Sequence, residues 1–515
     1  MVQVRRLFTA LILALGVPFA LHAQASPYLP VDDIAYTYVN ALMARGVLRN
    51  LSSLERPYEV GRVRAALDSA RTRGSGRVVT SYLDALSEAI GRYELRNSVD
   101  SAGEAAPFRA RATFDFYGTA QSSDLRELML ADWKDSFTPG IGGYFVMGGG
   151  HLAASVRAIL DNRLNHDPEF EGRKDRKIAG RTEDGYVSGQ WKYGEIAFGR
   201  AGRNWGPIGL SGLQLGDEAY TYDHIYGRIG TDRVHVSTVS ARLDNYVLSP
   251  GVESSRYFST HRLGINRGSF EFGVSESFVY TGVGRGLEFA LLNPLNVYGL
   301  SWRNERTDGN LSFGTDFAWR TKSYGTLSGQ VMLDDIQIDR CDTVCREPSS
   351  YGFTLSAEGL PLAGEQRWFA SYTRVSNLAY HTPNISERYA TFRTGLGRNY
   401  SDYDEMRLGA DLALLARIPL RVYVARRRQG EGDFRRPYPD KSEYDETPGF
   451  LAGTAWTVNR AGVSGAAMFG RDFRIQGDAG VNQNTNRYNY AGYDLTEFEG
   501  RVRFTWVPRW RIRFD

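Results

Sequence analysis

Cysteine is nearly missing from this chain, with two among 515 residues. That excludes a disulfide-dense scaffold and a cysteine-based zinc module. An excess of one charge is missing as well: 62 Lys+Arg stand against 59 Asp+Glu, and the resulting +3 gives no basic field for gripping nucleic acid. Beyond the N-terminal segment no run reaches the ~18 consecutive apolar residues of a membrane-spanning helix. Signatures of catalysis are lacking too, since there is no H-E-x-x-H, no G-x-S-x-G elbow and no P-loop lysine motif. Gly282-Val-Gly-Arg-Gly286 lacks the strand–helix setting of a dinucleotide site, and the pair Asp334-Asp335 alone is a weak signal for Ca²⁺. No Ser, His and Asp spacing selects a triad. The expectation is therefore a protein with no catalytic residue, no metal and no cofactor.

What the chain does have is 56 Gly and 30 Tyr, a mixture that favours strands and tight turns. Residues 1–25 have the form of an export signal. Arg5 and Arg6 precede the apolar run Leu7 to Leu21, which Gly16 and Pro18 interrupt, and Ala23-Gln24-Ala25 offers cleavage after Ala23 or Ala25. With no Cys near that site, a lipoprotein is excluded. An exported chain without further apolar runs is either soluble in an oxidising compartment or a transmembrane β-barrel. In such a compartment Cys341 and Cys345, a C-x3-C pair in a polar loop, read as a small disulfide-closed loop; half a metal site is the alternative, without nearby His partners.

The chain changes period near residue 100. Residues 26–100 read as three short amphipathic helices. The first is capped by Asp32 or Asp33, carries Ile34, Tyr38 and Leu42, and ends at Gly46. The second starts near Pro57 with Val63 and Leu67 on one face, and the third runs from about Val78 to Leu95 with Leu83, Leu86 and Ile90. From 101 to 515 the period is two. In Asn310 to Arg320 one face carries Leu311, Phe313, Phe317 and Trp319 and the other Asn310, Ser312, Asp316 and Arg320. Phe473 to Val481 and Val502/Phe504/Trp506 repeat the pattern. Glu276 breaks it by falling on the apolar parity, which a bulge or an inward kink would repair.

Roughly 16 to 19 such segments, joined by short turns (Asn266-Arg-Gly268, Gly470-Arg-Asp472) and long polar loops, have the form of an outer-membrane β-barrel. A soluble sandwich or propeller also alternates, but no blade-length repeat is present, and aromatic residues mark strand ends at Trp319, Tyr423, Trp506 and Trp510. The inward positions carry opposed charges, among them Arg111, Asp115, Asp411, Arg421, Arg474 and Asp478. They are able to line a selective pore or to hold a plug.

Candidate binding residues come from three connections. Loop 203–228 carries Trp205, Tyr220, Tyr222 and Tyr226, and is apolar enough to fold into the lumen or onto the rim. Its rings are suited to stacking on sugar faces, or to packing the loop in place. The Tyr-rich stretch Asn482 to Tyr493 adds Tyr488 and Tyr490, and the charged loop Gln429 to Glu446 adds Arg435 and Arg436.

The order of parts resembles the Wzi family of capsule-assembly proteins. Val31-Asp-Asp-Ile-Ala-Tyr to Gly46-Val-Leu48 followed by Arg56-Pro57 is similar to that family's opening helix, break and helix start. Phe198-Gly-Arg200 with Trp205-Gly-Pro207 resembles its G-R…W-G-P segment. Ser275-Glu-Ser-Phe-Val-Tyr280 with Leu292-Asn-Pro-Leu295 resembles its S-E…Y…N-P stretch, and Leu333-Asp-Asp-Ile336 its acid pair. The resemblance implies an all-β outer-membrane barrel of about 18 antiparallel strands whose periplasmic end is closed by the N-terminal α-helical bundle. It also implies a lectin-like role without catalysis: binding capsular or other extracellular polysaccharide at the cell surface. Outer-membrane lipid and the barrel-assembly machinery would be further partners, the latter because Arg511 to Asp515 resembles an aromatic-ended last strand. Two other classes remain open on the residues: a gated channel or transporter for small polar solutes, and a barrel-housed hydrolase.

Overall fold

The computed structural model describes residues 25–515 except 74–75, 96–107, 305–308, 322–323, 336–347, 416, 509–511 and 515. The export signal (apart from Ala25), Cys341, Cys345 and Trp510 thus lie outside the described residues.

Three helices form the head: α1 (Ala35–Ala44), α2 (Val60–Arg71) and α3 (Arg77–Ile90). Ile34 occupies the N-cap position of α1, and of the two candidate caps Asp33, one residue earlier, accepts from the Ala35 N–H at 2.8 Å. Asp32 instead pairs with Arg157 of the wall at 2.7 Å. Gly46 ends α1 with φ +68°, its N–H donating to Met43 O and that of Val47 to Leu42 O. The second helix begins three residues past Pro57, because Tyr28 and Glu59 first form a β-bridge. Tyr38, Leu42, Val63, Leu67, Leu83, Leu86 and Ile90 are fully buried in one core. Burial of each such side chain is worth about 1.5–3 kcal/mol.

The rest is a closed antiparallel barrel of eighteen strands. They are β1 (Arg109–Ser123), β2 (Trp133–Gly149), β3 (Leu152–Asp161), β4 (Gly180–Trp191), β5 (Gly194–Arg200), β6 (Asp223–Gly230), β7 (Val234–Arg242), β8 (Val252–Arg267) and β9 (Phe270–Gly282). They continue with β10 (Asn310–Arg320), β11 (Thr326–Asp335), β12 (Ser350–Pro361), β13 (Arg367–Val375), β14 (Tyr403–Leu415), β15 (Ile418–Gln429), β16 (Trp456–Phe469), β17 (Phe473–Thr485) and β18 (Leu495–Trp506). Each pairs with its chain neighbour, and β18 closes on β1 in the register Phe116↔Trp506 to Gln121↔Arg501. Ile512–Phe514 prolongs the last strand against Ala110 to Ala112. Closure leaves no sheet edge, so every stave finds its hydrogen-bond partners within the wall.

The period-two rows resolve as the sequence requires. Phe114, Leu152, Val156, Leu160, Phe473 and Phe504 are exposed on the outer face, while Arg111, Asp115 and Arg474 are buried toward the lumen. Glu276 departs from the expected repair. The β8–β9 ladder runs from Phe270 to Gly282 with no register shift, so there is no bulge, and Glu276 keeps its outward position. It is buried because the connection that follows folds back over it outside the wall.

The connections segregate by length. Short turns at 150–151, 192–193, 268–269 and 470–472 lie at one end, and long connections at 162–179, 201–222, 283–309, 376–402 and 430–455 at the other. The head sits at the short-turn end: Ala25 N–H donates to Gly150 O, the Tyr38 hydroxyl to Arg417 O at 3.0 Å, and Arg45 to Glu365 O at 3.1 Å. Wall charges latch it in place. Arg92 pairs with Asp115 at 2.8 Å, Glu55 with Arg262 and His235, and Arg417 with Glu88. Glu271 accepts from Ser52 and Ser53, while Arg320 donates to Leu51 O at 2.7 Å. Of the inward charges of the sequence, Arg111, Asp115 and Arg474 thus meet the head, whereas Asp411 and Arg421 pair with each other and Asp478 with Arg460 within the wall.

Candidate functional site

The connection 201–222 turns into the lumen and stands on the head like a strut. At its foot Asn204 and Arg56 exchange backbone hydrogen bonds of 2.9 and 3.0 Å, and the Arg56 guanidinium donates to Gly206 O and Pro207 O. In the middle, Gln330 from β11 donates to Trp205 O at 2.9 Å and accepts from the Leu213 N–H at 2.7 Å. At the top the hydroxyls of Tyr380 and Tyr389 donate to Leu213 O and Gln214 O. These partners answer the requirement that buried backbone groups be paired. Two glycines make the fold possible: a Cβ on Gly212 would lie 2.3 Å from Leu215 O, and one on Gly206 2.6 Å from Gly212 N.

This placement reassigns the aromatic residues of the 203–228 stretch. Trp205 is buried in the cluster of Leu213, Leu215 and Tyr380, with no open ring face. Tyr226 is not in the loop at all, since Asp223–Gly230 is strand β6; it points into the lumen, where the Arg203 guanidinium lies 3.5 Å from its ring centre. Tyr220 is held between Arg126 and Arg181, each 4.5 Å from its centroid, and its hydroxyl donates to Asp167. Tyr222 is half-buried, edge-on to His224 at 5.8 Å. The partners of Trp205 and Tyr220 (Gln330, Arg126, Arg181 and Asp167) come from strands and loops far along the chain, which is why a local reading gives these two free faces, whereas Tyr226 and Tyr222 meet Arg203 and His224 of their own stretch.

The 430–455 connection is tied down in the same way. Arg435 donates to Arg393 O and Asn399 O, each at 2.7 Å, and to Asp433 at 3.0 Å, so its side chain knots two loops together. Arg436 is exposed, and its carbonyl receives His381 Nε2 at 2.6 Å. Beneath them Asp402 accepts from the N–H groups of Gly432, Leu451 and Ala452 at 2.9, 2.6 and 2.9 Å. Burial nevertheless pushes the Asp402 carboxyl above its ordinary value.

The Tyr-rich stretch does present open rings. In the 486–494 connection Asn486, Tyr488 and Asn489 take positive φ of 54°, 57° and 65°. Such backbone persists where side chains hold it. Here Asn486 Oδ1 accepts from Gly492 N–H at 2.9 Å, and Asn489 Nδ2 donates to Thr454 O at 2.7 Å and Gln429 O at 3.0 Å. The Tyr488 hydroxyl donates to Asp132 at 2.9 Å and its ring meets Trp456 edge-on at 5.3 Å. Tyr490 is 69% exposed, and Tyr493, 6.3 Å from Tyr488 between ring centres, is exposed as well. Tyr493 joins the two candidates of this stretch; the recurrence of Tyr every few residues is its signal in the sequence.

Between head and loops lies a cavity of about 620 Å³. The head supplies its floor (Asp33, Tyr36), the strut one side (Ile208, Gly209) and β12, β14, β15 and β18 its charged walls. There Arg421 bridges Asp411 and Glu358 at 2.7 and 2.8 Å, whereas Arg501 donates to Leu125 O at 2.6 Å and Gln121. Among the described residues no group of three His, Cys, Asp or Glu is arranged to hold a metal ion.

No family model matches the chain, and no curated protein matches it in sequence. Solved structures do match. Wzi, an outer-membrane protein involved in group 1 capsule assembly in Escherichia coli and described as a carbohydrate-binding β-barrel, superposes with a TM-score of 0.62 at 12% identity over 95% of this chain and 100% of its own. The outer-membrane protein OpdK of Pseudomonas aeruginosa gives 0.44 at 10% identity over 79% of this chain and 99% of that one. Pseudomonas aeruginosa OprD gives 0.44 at 10% over 82% and 99%. The first of these likenesses shows a shared fold, that of an outer-membrane β-barrel.

Proposed function

We propose that this protein sits in the outer membrane and binds capsular or other extracellular polysaccharide, holding it at the cell surface without catalysis. In outer-membrane barrels short turns face the periplasm and long loops the outside. On that rule the head closes the periplasmic end and the 486–494 tyrosines face outward.

The observation that carries the reading is a lumen obstructed by the latched head and narrowed by the strut standing on it. Such a barrel is poorly suited to passing solutes, and what it offers the exterior is a rigid loop surface with open tyrosine rings. Tyr488, Tyr490 and Tyr493 are the proposed contacts, with the exposed Arg436 of the 430–455 connection, which Asn489 ties to their loop at Thr454 O, for acidic sugars. Trp205, Tyr220, Tyr222, Tyr226 and Arg435 serve by holding the loops that frame the surface. Amphipathic rings suit the C–H faces of sugars, and weak contacts along a repeating polymer add through effective concentration. The fold shared with a carbohydrate-binding barrel supports the same reading.

The test is glycan retention. In cells lacking the protein, polysaccharide should still be made but appear in the medium rather than on washed cells, and a Tyr488→Ala/Tyr490→Ala/Tyr493→Ala chain should fail to restore attachment. If surface glycan is unchanged and uptake of small polar solutes falls instead, the protein is a gated channel.

A further inference from the structure

The outer wall contains a polar notch. Thr238, Ser240, Ser259, His261 and Glu276 all occupy outward positions on β7, β8 and β9, and the ladders set Thr238 beside His261 and His261 beside Glu276. All five are wholly or largely screened from solvent. Lower on the same strands the outward residues are Val234, Leu263, Phe270 and Val274, all exposed as in the rest of the apolar band. Polar side chains at bilayer depth are costly unless covered.

The cover is the connection after β9. Instead of rising into water, it folds down outside the barrel and makes two short helical turns, Phe289–Leu292 and Tyr298–Asn304. Glu276 accepts from the Tyr298 N–H at 2.7 Å and lies 3.2 Å from His261 Nε2. The Tyr298 ring stacks obliquely on His261 at 4.2 Å, and its hydroxyl donates to Leu291 O at 2.7 Å. Tyr257, Phe278, Tyr280 and Leu291 complete a small core on the outside of the wall. The other side of this flap carries large apolar side chains with nothing on them. Phe289 is 87% and Leu295 74% exposed, and Val283, Leu300 and Trp302 are exposed with them.

We propose that segment 283–304 is seated in the bilayer, its outward apolar side chains resting among lipid acyl chains at the long-loop side of the membrane. Continuity with the wall identifies the occupant. On β3 the exposed apolar band runs from Leu152 through Val156 to Leu160, and on β17 it reaches from Phe473 to Val481. On β9 it stops at Val274, where Glu276 takes the next outward place. The flap restores the missing upper part of the band, and an apolar surface of this kind turned to water would be an interaction patch. The inference needs the barrel to lie in a membrane and is independent of the glycan reading.

The test is depth. In a chain with Cys341→Ser and Cys345→Ser, spin labels are placed by Phe289→Cys and, separately, Leu295→Cys. Val156→Cys on the wall is the lipid control and Tyr490→Cys the aqueous one. The protein is reconstituted in phosphatidylcholine–phosphatidylglycerol vesicles, and relaxation by oxygen is compared with relaxation by a water-soluble nickel chelate. Both flap labels are expected to follow the wall control, open to oxygen and several-fold less accessible to nickel than the loop label. Nickel accessibility equal to that at Tyr490 at both positions overturns the proposal and makes the patch a surface for a protein in water. As a check without labels, brominated acyl chains should quench the fluorescence contributed by Trp302, measured as the difference from Trp302→Phe; no quenched component would also count against it.

Discussion

Single charges decide how firmly the head is held. Arg92 reaches Asp115 at 2.8 Å with both side chains buried, and its guanidinium lies 3.9 Å from the Tyr144 ring centre. Removing one partner of such a pair strands the other, at a cost of roughly 3–5 kcal/mol. Arg92→Ala should therefore lower the temperature of the heat-induced mobility shift on gels markedly, whereas Arg173→Ala, whose Asp175 partner is exposed, should leave it unchanged. Glu59 supplies a pH dependence. Burial, with the Glu195 charge close by, raises its carboxyl to about 7 from an ordinary 4.5. The folded head thus keeps a proton there that the unfolded chain has already lost between those values, so this group makes stability fall as pH rises across that window. Protease resistance of the head should decline from pH 5 to pH 8, and the part of that slope due to this residue should vanish in Glu59→Gln.

At the scale of elements, close approach matters more than charge. Gly359 lies where β12 carries a register shift, with φ +79°, and a Cβ there would come within 1.8 Å of Ala44 O at the end of α1. Gly359→Val should push α1 off its seat without breaking the barrel. The expected result is release of a head fragment on limited proteolysis while the barrel still runs as a compact band. The tyrosine loop offers the complementary case. Asn486 holds a left-handed backbone that alanine disfavours by about 1–2 kcal/mol, and it also loses its contact to Gly492. Asn486→Ala should weaken polysaccharide binding several-fold in a pull-down with purified glycan and leave the barrel's thermal transition where it was.

For the molecule as a whole, the head seated across the lumen predicts near-zero conductance in planar bilayers, and loss of the head alone should raise it, because the strut flanks the remaining cavity on one side only. The barrel itself was legible because its rule is local: rows such as Phe473 to Val481 state their two faces within a few residues. The head was legible for the same reason, although α3 stops at Ile90, short of the Leu95 its periodicity suggested. The candidate site was legible only in part. Tyr490 is open because its own loop turns it outward, while the fate of Trp205 and Tyr220 depends on Gln330, Arg126 and Arg181, which no neighbouring residue announces. Glu276 shows the same limit from the other side: its outward parity is legible in its own strand, but the segment that covers it comes from the next connection.

The seam between β1 and β18 also sets a timetable. Latches to the head are spread along the wall from Asp115 to Arg474, so the socket is complete only once the final staves are in place, whereas the head that fills it lies ahead of every stave in the chain. Pairings this distant in sequence form slowly. Pairs inside the head, such as Arg64 with Glu94 and Arg71 with Asp84, need no wall, but the charges that face the wall are answered only when the sheet has curled round them. Assembly then resembles cooperage more than threading: the staves are bent and hooped about a bung already in position, and a barrel that shuts early shuts empty.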